Sequence, residues 1–129
     1  MTTGLLAALR AAGHTVAPFK VGPDYIDPGY HTLAAGRPGR NLDAVMCGEH
    51  RIAPLLAHGF CTPEPADVAL IEGVMGLFDG QPSAADLAER FGVPVLGVID
   101  AAGLAQTFGA LAYGLAHYRP SLPFAGVLA

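Results

Sequence analysis

Three apolar runs in this chain each end at a charged residue and then break into a turn: His14–Lys20, Val68–Glu72 and Val93–Asp100. Stretches with helical spacing of apolar residues lie between them, so strand and helix alternate. That order predicts an α/β fold whose parallel sheet is doubly wound, covered by helices on both faces. In such a sheet every strand delivers its last residue to the same edge, where ligands bind.

The helices have readable ends. Thr2 or Thr3 is expected to cap a first helix carrying Leu5, Leu6, Leu9 and Ala12, with Gly13 as its stop. A short helix is expected from about Pro28 to Ala35, closed by Gly36, and Arg37 to Asn41 reads as a loop. Asp43 is placed to cap a helix from Ala44 to about His58, weakened by Gly48. Ser83 and Asp86 form a capping-box pattern for a helix through Phe91, stopped by Gly92. A last helix is expected from about Leu104 to Tyr118, and a strand begins at Phe124. The order starts in a helix and stops in a strand, so it reads as part of a larger domain.

The segment Phe19-Lys20-Val21-Gly22-Pro23-Asp24-Tyr25-Ile26-Asp27-Pro28-Gly29-Tyr30-His31 is the densest in chemistry. Lys20, Glu72 and Asp100 end strands, and Asp24, Asp27 and Asp79 lie in the loops just beyond. Five carboxylates and one lysine on one rim repel one another unless a divalent or cationic partner compensates. Magnesium, held by one or two carboxylates plus water and phosphate oxygens, suits such hard ligands.

Simpler roles compete. Asp24 and Asp27 beside prolines can be turn residues, Asp79-Gly80 is an ordinary turn pair, Asp100 can cap the next helix, and Lys20 can be a solvated strand end. Glu72 is harder to explain away, because an apolar strand gains nothing by closing on a carboxylate. Tyr25 and Tyr30 can pack or can wall a substrate pocket, and His31 can contact a ligand or bond backbone. Arg37 and Arg40 can meet a substrate carboxylate or remain at the surface.

Composition narrows the classes. At 129 residues and 52% hydrophobic, the chain can bury a core. A net charge of −4 with seven scattered Lys and Arg gives no footprint for nucleic acid or an anionic membrane. No run of apolar residues is long enough to span a bilayer, and the expected location is the cytoplasm. Cys47 and Cys61 lack ligand-spaced neighbours, so zinc is not expected and both read as free thiols.

Several blocks in order carry a resemblance: FKVGPDYIDPGYH, Gly36-Arg37-Pro38 with Asn41-Leu42-Asp43, EGVMGLFDG from Glu72, and SAADLAERFGVPVLGVIDA from Ser83. Over nearly the whole chain these resemble the cobyrinic acid and hydrogenobyrinic acid a,c-diamide synthases. The resemblance implies a dethiobiotin-synthetase-like fold of the P-loop NTPase type. It implies a glutamine- and ATP-dependent amidoligase of cobalamin biosynthesis with ATP and Mg2+ as cofactors. A peripheral carboxylate of the corrinoid is activated as an acyl phosphate, and ammonia from a glutaminase domain displaces the phosphate.

Carried onto this sequence, the resemblance implies magnesium ligation by Asp24 and Glu72 and a phosphate or acyl-phosphate contact for Lys20. Asp27 and Asp79 would orient nucleotide, metal or substrate, and Tyr25, Ile26, Tyr30 and His31 would face the corrinoid. Family members open with a strand and a GxxxxGK[ST] loop, and only the helix after that loop is matched by Thr2-Thr3-Gly4-Leu5-Leu6. The expectation is therefore a partial synthetase domain, without its first strand, its phosphate cradle and the glutaminase domain, and inactive alone. An inactive remnant, a mis-started fragment, a related amidase such as cobyric acid synthase or nickel-sirohydrochlorin a,c-diamide synthase, or a partitioning-type ATPase are the competing readings. An open sheet edge would also permit a homodimer.

Overall fold

The computed structural model describes residues 1–129. It is α/β, and its sheets are parallel. The chain divides into two compact units, Met1–Val74 and Met75–Ala129. No helix is long and apolar enough to cross a membrane.

The first unit contains α1 (Thr2–Ala11), β1 (Val16–Val21), α2 (Asp27–Ala35), β2 (Arg40–Leu42), α3 (Ala44–Cys47), α4 (Glu49–Cys61) and β3 (Val68–Glu72). Its sheet has the order β2-β1-β3. β1 is central, and all six of its residues are buried. Side chains alternate along a strand, so Val16, Pro18 and Lys20 share one face and Ala17, Phe19 and Val21 the other. Val16 joins Leu6 of α1 and Ala35 of α2 in one cluster, with Leu70 of β3 packed against it. Phe19 meets α4 at Gly59, where a Cβ would lie 2.6 Å from the ring. Burying a side chain the size of Phe19 contributes about 1.5–3 kcal/mol, and the missing Cβ is what admits the helix so closely.

Register then fixes the chemistry. Phe19 pairs with Ile71 and Lys20 with Glu72 on one side, while Lys20 pairs with Asn41 on the other. Lys20 and Glu72 therefore leave their strands together, on the face covered by α1 and α2.

The second unit contains α5 (Ala84–Phe91), β4 (Val95–Val98), α6 (Gln106–His117) and β5 (Phe124–Leu128). β4 and β5 form a two-stranded parallel sheet with a register shift between Val95 and Leu96. Ala85, Ala88 and Leu122 are its buried centre, flanked by Leu77, Phe78, Val93, Val95 and Phe124. Ser83 accepts the Asp86 amide and Asp86 accepts the Ser83 amide, completing the capping box.

Four local expectations are corrected. The Thr2 and Thr3 side chains cap nothing: Met1 precedes the helix, and the Thr2 hydroxyl is drawn to a distant carboxylate. Arg40, Asn41 and Leu42 form a strand, because pairing with β1 overrides a weak local preference. The expected helix from Ala44 breaks at Gly48, whose φ of 82° no helix contains, although Asp43 does accept the amides of Val45 and Met46. Asp100 accepts the Ala102 amide in a turn, and α6 begins only at Gln106. The hydrogen-bonded strands form two sheets, β2-β1-β3 and β4-β5. Both cysteines are free thiols.

Candidate active site

Lys20 is the hub of the first unit's charged cluster. Its ammonium donates to Asp27 Oδ2 at 2.7 Å and to Glu72 Oε2 at 3.1 Å, and lies 3.8 Å from Asp24 Oδ2. The lysine side chain is only 7% exposed, whereas the Asp24, Asp27 and Glu72 side chains reach 22%, 41% and 26%. One cation among three partly wet carboxylates leaves two negative charges in excess.

Glu72 is gripped at both oxygens. Oε1 accepts the Thr2 hydroxyl at 2.6 Å, and Oε2 accepts from Lys20 and lies 3.1 Å from His31 Nε2. His31 is 2% exposed, one turn into α2, and its Nδ1 is buried without a partner. Asp24 is fixed differently: its Oδ1 accepts the amides of Ile26 and Asp27 at 2.8 and 3.0 Å, and the Asn41 side chain donates to its carbonyl. Asp24 is thus a turn residue that also keeps Oδ2 toward Lys20.

These contacts set the titration of the cluster. Burial opposes the charge on Lys20, but hydrogen bonds from its ammonium to Asp27 and Glu72 outweigh it and raise the pKa. Burial likewise works against the Glu72 carboxylate, and the Thr2 hydroxyl and the Lys20 ammonium overcome it, lowering the pKa. The Asp24 pKa is lowered mainly by the backbone amides of Asp27 and Ile26.

No group of three or more His, Cys, Asp or Glu side chains is arranged to enclose a metal ion. The donor set nevertheless fits a hard cation of magnesium type. It offers carboxylate oxygens and excess negative charge, and such an ion takes only one or two protein ligands beside water and phosphate.

Comparison with known proteins adds named relatives. Hydrogenobyrinate a,c-diamide synthase of Pseudomonas aeruginosa is 60% identical over 98% of this chain, which covers 28% of that protein. The Mycobacterium tuberculosis H37Rv protein of the same name is 53% identical over 99% of the chain, covering 30% of its length. Cobyrinate a,c-diamide synthase of Syntrophotalea carbinolica is 45% identical over the whole chain, covering 29% of that protein. The chain is homologous to the a,c-diamide synthases. It spans about 30% of the length of the curated relatives it matches. No family profile and no solved structure matches.

In this a,c-diamide synthase homologue the remaining expected site residues fall in two places. Tyr25, Ile26 and Tyr30 are 91%, 58% and 59% exposed beside the charged cluster. Ile26, Gly29, Tyr30 and Leu33 line a shallow, open groove of about 220 Å3. Asp24, Asp27 and Glu72 gather around Lys20 within the first unit; Asp79 and Asp100 belong to the second unit. The Asp79 amide closes a turn onto the Gly76 carbonyl.

Arg37 is neither at the surface nor free for a substrate: it is buried and donates to the carbonyls of Gly59, Thr62 and Glu64 around the end of α4. Thr2 and Asn41, which hold Glu72 and Asp24, had no local signal. Their partners are 70 and 17 residues away.

Proposed function

We propose that the chain forms part of a glutamine- and ATP-dependent amidoligase that amidates the a and c acetate carboxylates of cobyrinic or hydrogenobyrinic acid in cobalamin biosynthesis. The observation that carries this reading is a buried lysine held among three carboxylates at a strand edge, in a chain whose homologues are named for that reaction. A single ammonium surrounded by excess negative charge suits a site where a magnesium nucleotide and a substrate carboxylate must be brought together.

Asp24 and Glu72 would hold magnesium, directly or through water. The ion, when bound, would spread the negative charge of the transferring phosphoryl group. Lys20 would meet phosphate oxygens and supply positive charge where the substrate carboxylate is activated. Asp27 holds the Lys20 ammonium in position, and Asp79 is assigned an orienting role toward nucleotide or substrate. Tyr25, Ile26 and Tyr30 offer an apolar and hydroxyl-bearing surface to the corrinoid. Glutamine hydrolysis, the source of the ammonia, is assigned to a part of the enzyme other than these 129 residues.

The test is Glu72→Gln in an enzyme preparation containing this segment, assayed for ATP-dependent amidation of hydrogenobyrinic acid with free ammonia supplied. Turnover falls by roughly 100-fold or more while the fold is retained, in keeping with loss of a charge-holding group at a phosphoryl-transfer site. Unchanged turnover would sink the metal role of Glu72.

A further inference from the structure

We infer that Asn41 is a positioning residue: its side-chain amide, presented by β2, holds the loop after β1 in the shape that aims the Asp24 carboxylate. The inference rests on the amidoligase reading for its purpose and on local geometry for its content.

β2 is three residues long, and the segment that contains it holds the loop from Gly22 to Pro28 at three points. Where the loop begins, the Leu42 carbonyl accepts the Gly22 amide at 3.2 Å. At its middle, the Asn41 side-chain amide donates to the Asp24 carbonyl. Where it ends, Gly39 lies so close that a Cβ there would stand 2.7 Å from the Pro28 carbonyl oxygen. The Thr32 hydroxyl bridges that last pair, accepting the Gly39 amide and donating to Pro28.

Only the middle contact depends on a side chain of β2. Asn41 pairs with Lys20, which pairs with Glu72, so the three side chains rise side by side on one face of the sheet. From there Nδ2 fixes the peptide plane that joins Asp24 to Tyr25. The next two amides, of Ile26 and Asp27, donate to Asp24 Oδ1, which leaves Oδ2 turned toward Lys20. If that plane is released, the two amides no longer converge on Oδ1, and the carboxylate loses its fixed direction.

Asparagine is a poor choice for a strand that only has to pair. It is depleted in strands, and here its Oδ1 is buried without a partner, which is unfavourable. Both penalties are explained if the position needs a neutral donor facing the Asp24 carbonyl. Aspartate would set oxygen against oxygen, and an aliphatic residue would donate nothing. Departures from local preference of this kind gather at functional sites. Asp24 is one of the two carboxylates assigned to magnesium, and a partner that orients such a ligand typically changes affinity or activity by about 10–100-fold when removed.

The first experiment uses the 129-residue chain without nucleotide or metal. NMR should detect a coupling through the hydrogen bond between Asn41 Nδ2 and the Asp24 carbonyl carbon, and its absence overturns the inference before any variant is made. Asn41→Leu removes the amide at nearly constant volume. The Asp24 side-chain carboxyl carbon should then shift and the amides of Tyr25, Ile26 and Asp27 become more mobile, while the Gly22 amide keeps its protection from exchange. Unaltered signals from 24–27 overturn the inference, and so does equal loosening of the Gly22 amide, which would make Asn41 a strand residue only. Thr32→Val breaks the bridge between Gly39 and Pro28 and should leave the Asp24 carboxyl signal in place; a shift as large as that in Asn41→Leu overturns the special role of Asn41. In an enzyme preparation containing this segment, Asn41→Leu should raise the magnesium concentration for half-maximal amidation by about 10-fold, and an unchanged requirement overturns the link to the metal. The NMR measurements involve no turnover, so their failure is distinct from failure of the Glu72→Gln assay.

Discussion

Each unit holds a cation between carboxylates, and the two arrangements serve different ends. In the second unit Arg119 donates to Asp86 Oδ1 at 2.7 Å and Glu89 Oε2 at 3.1 Å. Asp86 already accepts the Ser83 amide through its other oxygen, and Glu89 accepts the Ser121 hydroxyl through Oε1. Every one of those oxygens has a partner: one closes the cap of α5, and the other three join α5 to the segment after α6. In the first unit the cation is nearly buried, and Asp24 and Asp27 are partly wet with charge to spare. Spent lone pairs mark a brace; surplus lone pairs around a desolvated cation mark a place for a ligand.

The sharpest way to break that comparison is to remove each cation. Lys20→Met leaves three carboxylates facing one another and should cost about 2–4 kcal/mol, somewhat under the figure for a fully buried pair because the acids are partly wet. Urea denaturation should show that loss, with partial recovery at acid pH as the carboxylates take up protons. Arg119→Met leaves two partly exposed acids that still have other donors, and its midpoint should move much less. Equal shifts would erase the distinction.

A packing control comes next in size. Gly59→Ala drives a methyl group into Phe19 and should cost about 1–3 kcal/mol, with no change in how stability depends on pH. A pH-dependent effect would mean that the α4 face and the charged face are coupled.

The smallest effect separates the cations by titration. Lys20 has a raised pKa, so its contribution is full below the ordinary lysine value of 10.5 and disappears as pH climbs through the higher folded value. Arg119 keeps its charge over that range. Amide exchange followed residue by residue at alkaline pH should therefore show β1 and β3 loosening before α5. On the acid side, Glu72 and Asp86 both have lowered values. Their contributions are present above 4.5 and 3.8 and fade as pH falls through the lower folded ones, so acid should weaken both units.

What could be read in advance follows the range of the interactions involved. β3 from Val68 to Glu72, the Ser83–Asp86 cap and the Gly36 and Gly92 stops are set by neighbours within a few residues, and they stand where the sequence pattern puts them. The cluster of Lys20 with Asp24, Asp27 and Glu72 follows from one topological rule, that parallel strands end together. β2, the inward turn of His31, the burial of Arg37 and the reach of Thr2 depend on partners distant in the chain. Nothing in a local window distinguishes a threonine that caps a helix from one that leaves it for a glutamate 70 residues away.

The pairing of Lys20 with Glu72 across β1 and β3 has a consequence for how this segment can change over time. From Val16 to Lys20 and from Val68 to Glu72 the count of residues is an address. Side chains along those strands can be exchanged for others of similar bulk, but a single inserted or deleted residue turns the ammonium to the opposite face of the sheet. Drift in this part of the gene should therefore be rich in substitutions and barren of length changes.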